Sequence, residues 1–277
     1  MLRFIHNQLA RFMPLRVMML SGCLLALPVF AAFSSEIRFV TEEMSPFQIK
    51  DGHKLSGFAI EVIEEIKQKI GLQAKIEVYP WARAYNLALQ KPNVFIFTLV
   101  KTPERLAQFK WIDEYYTATD SFYALRSRKD IKIRSMKDAK KYVTCIPRND
   151  VGEQRLLKLG FSAKNLKRVA FQSQCLGMLY RDRVDLNLFN EHGIRSLSKK
   201  FEVDPDQFRR IFVVSKAVMG LAASKATDDR LVAQVRKALV EIKQSSSHRQ
   251  RIQKWFSVST DTGPNAKQIN NKPSSQN

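Results

Sequence analysis

The feature that most constrains the fold is an alternation of strand-like and helix-like segments between residues 36 and 100. Strand patterns occupy EIRFVTEE (36–43), KIEVY (75–79) and NVFIFTLV (93–100), and helix patterns lie between them at FAIEVIEEIKQKIG (58–71) and WARAYNLALQK (81–91). Strands that alternate with helices favour a parallel sheet. Because ligands bind at the carboxyl ends of such strands, we expect the turns SPF, YPW and TLVKTPER to lie on one ligand-binding edge.

The alternation starts again after FYALRSR (122–128). Strand patterns follow at YVTCI, KRVAFQ and VDLNLF, and helix patterns at VGEQRLLKLG, CLGMLYRDR and NEHGIRSLSKK. A third section contains the strands RRIFVV and VMGLAAS and then the helices DDRLVAQVRKALVEIKQ and SHRQRIQKWF. The residues from 259 to 277 hold one aliphatic side chain beyond alanine, which predicts a disordered tail.

The N-terminus is typical of an exported protein. Three arginines precede an apolar run from 17 to 33, and small residues suited to cleavage follow. We therefore predict a signal peptide at 1–34 and a periplasmic protein. LSGC at 20–23 resembles a lipoprotein box, but the apolar run continues past Cys23, which favours a cleaved signal over a lipid anchor.

The net charge of +20 comes from 46 Lys and Arg against 26 Asp and Glu. Such an excess suits nucleic acid, an anionic membrane surface or anionic ligands, or it is a solvated basic surface. No nucleic-acid motif is recognisable, so we expect no nucleic-acid partner. The histidines and cysteines show no metal-binding spacing, and no cofactor is expected.

Two cysteines, Cys145 and Cys175, remain after the predicted signal. A pair of cysteines in an exported protein indicates one disulfide. Two buried thiols are the alternative reading.

KTPERLAQFKW at 101–111 predicts a short helix. Thr102 suits the N-cap and Pro103 the first helical position, which puts Arg105 in the first turn. A cation there opposes the positive end of the helix dipole. We therefore expect an anion against Arg105, from a ligand or from a carboxylate of the protein such as Glu42 or Glu43.

Taken in order, several segments resemble the bilobal periplasmic solute-binding proteins of the polar amino acid type. They are SPFQIKDGHKLSGFAIEVIEEI, YPWARAYNLALQ, TLVKTPERLAQFKW, GMLYRDRVDLNLFNE and VMGLAASK, and the likeness extends over 36–256. The resemblance implies a type II α/β fold in which two α/β lobes are joined by two hinge strands. It places lobe one at 35–120 and 214–258 and lobe two at 121–213.

The resemblance also implies a function. Proteins of this type close their lobes by hinge motion around a small polar ligand that bears a carboxylate, such as an amino acid or a related anion. They are not enzymes, and they serve an ABC permease or a sensor. We expect this chain to act as a monomer.

Candidate ligand contacts in lobe one follow from the same resemblance. Arg105 matches the position that clamps the α-carboxylate, and a guanidinium can do so through two parallel hydrogen bonds. Trp81 matches an aromatic position that packs on the ligand, and Phe47 is a weaker candidate of the same kind. Thr98 matches a position that helps to hold the carboxylate, whereas Val100 replaces a small hydroxyl residue.

Lobe two departs further from the family pattern. Asn190 stands where an aspartate usually pairs with the α-ammonium, and Glu191 follows it as an alternative. Arg148 matches a region that approaches the ligand carboxylate. Two arginines and an amide favour an anionic ligand over an ordinary α-amino acid.

Two other functions stay open. A dehydratase-like enzyme on the same fold would need a general acid or base in the cleft, for which Glu191 and Glu43 are the candidates. A protein that docks on the envelope would use the basic C-terminal helix, which carries Arg249, Arg251 and Lys254 beside two aromatic residues.

Overall fold

Two long antiparallel strands run through the middle of the molecule. In the computed structural model these are β6 (Phe109–Leu125) and β10 (Phe208–Ser224), of 17 residues each. They pair from Phe208 with Leu125 to Ser224 with Phe109, and the register shifts several times on the way. The sequence predicted two separate strands where β10 is continuous. Ser215 and Lys216 interrupt its apolar pattern, yet the backbone pairing passes through them.

The structure describes residues 36–256, so the predicted signal at 1–34, Cys23 and the predicted tail at 259–277 lie outside the described residues. The remaining strands are β1 (Arg38–Thr41), β2 (Ile49–Asp51), β3 (Lys54–Ser56), β4 (Lys75–Val78), β5 (Val94–Val100), β7 (Thr144–Pro147), β8 (Leu166–Val169) and β9 (Leu186–Asn190). The helices are α1 (Phe58–Lys69), α2 (Trp81–Gln90), α3 (Pro103–Gln108), α4 (Met136–Ala139), α5 (Val151–Lys158), α6 (Gln172–Tyr180), α7 (Gly193–Lys200), α8 (Asp229–Gln244) and α9 (Ser246–Phe256).

Eight of the described strands form one mixed sheet in the order β4-β1-β5-β10-β6-β9-β7-β8. At one end β1 pairs in parallel with both β4 and β5, as the alternation in the first hundred residues predicted. At the other end β7 pairs in parallel with β8 and β9. The fold is therefore bilobal, with a parallel set of strands in each lobe and the pair β6 and β10 joining them.

The core of lobe one is rich in aromatic residues. All seven residues of β5, VFIFTLV, are buried, as expected for a strand with helices on both faces. Phe39 and Phe95 stack on neighbouring strands at 4.9 Å between ring centroids. At the other end of the described chain, α9 inserts Phe256 against Phe58, so the C-terminal helix belongs to this core.

Lobe two is held together by a disulfide as well as by its core. Cys145 on β7 and Cys175 on α6 are bonded, with 5.4 Å between their Cα atoms, which confirms the predicted bridge. Both residues are fully buried beside Leu176 and Leu179. Among the helices from 36 to 256, none has the length and apolar character needed to cross a membrane.

Candidate functional site

A cavity of about 60 Å³ lies between the two lobes. Its wall in lobe one comes from the loop after β1 and from the end of β5, and its wall in lobe two from the loops after β7 and β9. The lining residues are Glu42, Met44, Ser45, Val100, Asp120, Pro147, Asp150, Val151, Gly152, Gln172, Leu188, Phe189, Asn190, Gly193, Leu197 and Met219. The ends of β1, β5, β7 and β9 are carboxyl ends of parallel strands, which is where the sequence predicted a ligand, whereas Asp120 and Met219 come from the antiparallel pair β6 and β10.

Three carboxylates line this cavity: Glu42 from lobe one, Asp150 from lobe two and Asp120 from β6. Glu42 is 8% exposed, and within residues 36–256 its side chain forms neither a hydrogen bond nor an ion pair. Burial and the nearby Asp150 raise the pKa of Glu42 well above its ordinary value, against the attraction of Arg105. The carboxyl group of Glu42 thus lacks the compensation that a buried charge requires.

Asp150 and Asp120 are better compensated. Asp150 caps α5 by accepting a hydrogen bond of 2.7 Å from the backbone N–H of Gly152, although burial still raises its pKa. Asp120 lies 3.3 Å from Nη1 of Arg155. Burial, with a smaller contribution from Asp150, raises the pKa of Asp120 to about 7. The cavity therefore brings together three carboxyl groups with raised pKa values, and that of Asp120 lies near neutral pH.

Arg105 lies beside the cavity, in the first turn of α3. Thr102 is the N-cap, as predicted, and its hydroxyl accepts the backbone N–H of Arg105 at 3.2 Å. The side chain is 3% exposed, and its Nη1 donates to the carbonyl of Val100 at 2.9 Å. Among the described residues no carboxylate is directly ion-paired with it, but Asp150 and Glu42 attract its charge and oppose the lowering of its pKa by burial.

Trp81 covers Arg105 and joins the two lobes. The guanidinium carbon of Arg105 lies 5.1 Å from the centroid of the Trp81 ring and 5.4 Å from that of Tyr85. The indole Nε1 of Trp81 donates to the backbone carbonyl of Asn149 in lobe two at 3.1 Å. The Trp81 side chain therefore packs on the cation and is itself fixed by a contact across the cleft.

Further contacts cross the cleft, so the lobes are closed on each other. Lys158 of α5 lies 2.6 Å from Glu104 of α3. The hydroxyls of Ser45 and Ser196 are hydrogen-bonded at the other side of the cavity. Lys200 of α7 pairs with Glu43 and donates to the carbonyl of Lys50 at 3.2 Å.

Thr98 and Phe47 lie away from the cavity. Thr98 has a φ of 57°, an unusual value for a β-branched residue, and its hydroxyl is 2.7 Å from that of Tyr115. Phe47 is fully buried and packs against Phe58 and Phe256 in the core of lobe one. Both residues shape the loops behind the site.

Only Asn190 of the three lobe-two candidates lines the cavity. Its Oδ1 accepts the backbone N–H groups of His192 and Gly193, at 3.0 and 2.8 Å. The carboxylate of Glu191 turns back to the hinge, where it accepts the backbone N–H of Thr119. Arg148, in the loop after β7, is exposed and does not line the cavity.

The sequence interpretation named neither Asp120 nor Asp150 as a site residue, and it considered Glu42 only as a partner for Arg105. Asp150 follows β7 in the same turn as Arg148, so its position after a strand was a usable signal. Asp120 lies inside a long strand, and nothing in its neighbourhood distinguishes a residue that faces the cavity from one that faces solvent.

Comparison with known proteins agrees with this architecture. The profile of the bacterial extracellular solute-binding proteins, family 3, matches residues 37–258. The arginine-binding extracellular protein ArtP of Bacillus subtilis (strain 168) is 24% identical over 220 residues, which cover 77% of this chain and 83% of ArtP. The L-cystine-binding protein TcyA of the same organism is 24% identical over 225 residues, 78% of each chain.

A crystal structure of the P235GK mutant of ArgBP from T. maritima has a similar fold, with a TM-score of 0.71 and 20% identity over 80% of this chain and 96% of that one. The family profile accounts for most of the chain, including both lobes and both hinge strands. The chain belongs to the bacterial extracellular solute-binding proteins, family 3.

Proposed function

We propose that this chain is a periplasmic binding protein, without catalytic activity, that closes lobe one (35–120 and 214–258) and lobe two (121–213) around a small amino acid with a cationic group. The observation that carries the proposal is the set of three carboxylates in the cavity, one of them buried and unpaired. Delivery to an ABC permease or a sensor is part of the proposal, as is a monomeric state.

The charge of the cavity favours a cation over an anion. An ionised carboxylate that is removed from water without a partner is destabilised by several kcal/mol, and a second carboxylate nearby adds to that cost. An ammonium or guanidinium group between Glu42, Asp120 and Asp150 would offset both effects. A purely anionic ligand, which the two arginines and Asn190 suggested, would meet three carboxylates. Of the two nearby guanidinium groups, that of Arg155 is already paired with Asp120, and Arg148 is exposed and does not line the cavity.

Arg105 is the proposed clamp for the ligand's carboxylate. The carbonyl of Val100, a cavity residue, accepts one N–H of its guanidinium, and the Tyr85 side chain is hydrogen-bonded to the guanidinium as well. The remaining N–H groups can bind an incoming carboxylate. In the closed arrangement Asn149 and Asp150 of lobe two cover Trp81 and Arg105. Opening of the hinge would remove this cover and expose the clamp.

The size of the cavity supports binding by hinge motion. A water molecule needs about 10–15 Å³ of such a volume, so 60 Å³ accommodates only a few waters. An amino acid must therefore enter an open form, and the lobes must close around it less tightly than they do here. ArtP, which is an arginine-binding protein by name, gives this ligand class additional support.

The enzyme alternative gains no support from the residues suggested for it. Glu191 is hydrogen-bonded to the hinge strand, and Glu43 is paired with Lys200. The envelope-docking alternative is not favoured either, because Phe256 packs in the core and Arg251 is paired with Glu65.

The test is a ligand titration of the chain from residue 35 onward. We expect arginine and lysine to bind and to raise the melting temperature, since a ligand at 100 times its Kd stabilises the fold by about 2.7 kcal/mol. Glutamate and succinate should bind more weakly by at least about tenfold. Calorimetry measures each affinity directly.

Two variants test the assignment of the groups. Glu42→Gln should weaken the binding of arginine by about tenfold or more, and Arg105→Ala should abolish the binding of all carboxylate ligands. Asp51→Asn, the loss of an exposed carboxylate on β2, is the matched control and should bind as the wild type does. If glutamate bound more tightly than arginine to the wild type, the proposed cation preference would be wrong.

A further inference from the structure

A second and larger cavity, of about 670 Å³, lies on the outer side of the contact between Ser45 and Ser196. Lobe one contributes the loop around Pro46 and the end of α9, and lobe two contributes α7. Its volume falls within the range of small-molecule sites, about 300–1,000 Å³. Ser45 lines both cavities, so the serine pair separates them.

The charge of this cavity is opposite to that of the first. Arg195, Lys199 and Lys200 of α7 and Lys254 of α9 line it, and no acidic residue among the described ones does so. Arg195 and Lys199 are four residues apart on one helix and therefore share a face. Lys200 and Lys254 pair with Glu43 and Glu61, which lie outside the wall, and Arg195 has an interaction partner as well. These contacts offset part of the charge.

The cavity also has an apolar side. Phe256 is 8% exposed and Trp255 is partly buried, and both form part of the wall. His192, which is 2.7 Å from the hydroxyl of Tyr116, completes it, and burial lowers the pKa of His192 to about 4, so this histidine is neutral at neutral pH. The cationic side chains thus lie beside an apolar wall, next to which their attraction for an anion is screened less than on a fully open surface.

We propose that this second cavity binds a multivalent anion of the phosphate type, at a site distinct from the amino acid cavity. Several cations around one cavity repel each other, and an anion with two or more charges would bridge them through charge-assisted hydrogen bonds. The proposal is independent of the proposed amino acid ligand, because the two cavities share no charged residue.

The probe for the test is pyrophosphate, titrated by calorimetry into the chain from residue 35 onward at constant ionic strength. We expect saturable binding with one site per chain. The double variant Arg195→Gln, Lys199→Gln should weaken it by at least about tenfold, since each removed charge takes away a charge-assisted contact. Both side chains are exposed, so these substitutions should leave the fold intact, which the melting temperature checks.

The matched control is Lys164→Gln, Lys167→Gln, which removes the same charge from exposed positions in lobe two away from the cavity. This control should bind pyrophosphate as the wild type does. An equal loss of affinity in both double variants would overturn the proposal, because the binding would then reflect net charge alone. Absence of saturable binding to the wild type would overturn it as well.

A second arm distinguishes a soluble anion from a lipid headgroup. Vesicles of phosphatidylglycerol and phosphatidylcholine in equal parts would be sedimented with the wild type and both double variants. Binding that only the variant in the cavity loses would identify a lipid phosphate as the ligand. If pyrophosphate binds but vesicles do not, the ligand is a soluble anion.

Discussion

Replacement of Asp120 by asparagine should remove a large part of the pH dependence of stability. The carboxyl group of Asp120 has an ordinary pKa of 3.8, and burial raises it to about 7 in the folded protein. Each pH unit between these values corresponds to about 1.4 kcal/mol. At a pH above both pKa values, the ionised Asp120 therefore lowers the free energy of unfolding by about 4 kcal/mol.

The direction follows from proton binding. Because the folded pKa lies above the unfolded one, the folded protein holds the Asp120 proton more tightly. The free energy of unfolding should consequently fall as the pH rises from about 4 to about 7, and the loss is complete above 7. Asparagine resembles the protonated acid, so Asp120→Asn should match the wild type near pH 4 and exceed its stability by up to about 4 kcal/mol at pH 8.

The assay is urea denaturation followed by tryptophan fluorescence at several pH values from 4.5 to 8. The relevant quantity is the difference between the two proteins, because other carboxylates contribute in both directions: burial raises the pKa of Glu42, while the ion pair with Arg38 leads to a lowered pKa of Glu77. Asp51→Asn is the control and should follow the wild type. Parallel curves for Asp120→Asn and the wild type would show that burial does not raise the pKa of Asp120.

Three further changes have expected outcomes. Reduction of the Cys145–Cys175 disulfide, or its replacement by two serines, should lower the free energy of unfolding by about 3–4 kcal/mol in urea denaturation. The bridge restricts the unfolded chain over a separation of 30 residues, and its loss restores that conformational entropy. Equal stability with and without reductant would contradict this. Gly220→Ala should lower the free energy of unfolding by about 2 kcal/mol or more, because the new Cβ would lie 2.4 Å from the carbonyl of Asp113 on the paired hinge strand; an unchanged melting temperature would show that the strands separate easily. Trp81→Phe keeps an aromatic ring over the cation but removes the hydrogen bond to lobe two, so arginine affinity should fall by about fivefold in calorimetry; an unchanged affinity would show that this contact does not assist closure.

The first hundred residues made the fold predictable because local pattern and global structure agree there. The alternation of strands and helices produced the parallel set β4, β1 and β5, and Thr102 and Pro103 correctly located the start of α3. The continuous strand β10 was harder to predict. The middle of this strand lies between the cores of the two lobes. Its apolar pattern is therefore interrupted there, although its backbone pairing with β6 continues.

The site was predictable only in part, for a related reason. Turns after strands placed Arg105, Trp81 and Asn190 at the edge of the sheet where the cleft lies, because that edge follows from element order. Their roles as ligand contacts stay predictions. The direction of Asp120 depends on the register shift between Val213 and Ser215, where β10 pairs with β6. A bulge of this kind changes the face of the sheet on which a residue lies. The alternation of apolar and polar residues in the sequence does not predict where such a bulge occurs.

The distribution of the three carboxylates also explains how closure and ligand would be coupled under the proposed function. Glu42 and Asp150 belong to different lobes, so hinge closure brings them together, and each contributes to the electrostatics of the other through the shared cavity. A ligand shifts an open–closed equilibrium only by the difference between its affinities for the two forms. A cationic group between these carboxylates gains most of its interaction in the closed form, where it also relieves the repulsion that opposes closure. A neutral ligand of the same shape would have more similar affinities for the open and the closed form. The charge of the ligand would therefore favour binding both by direct contact and by promoting closure of the hinge.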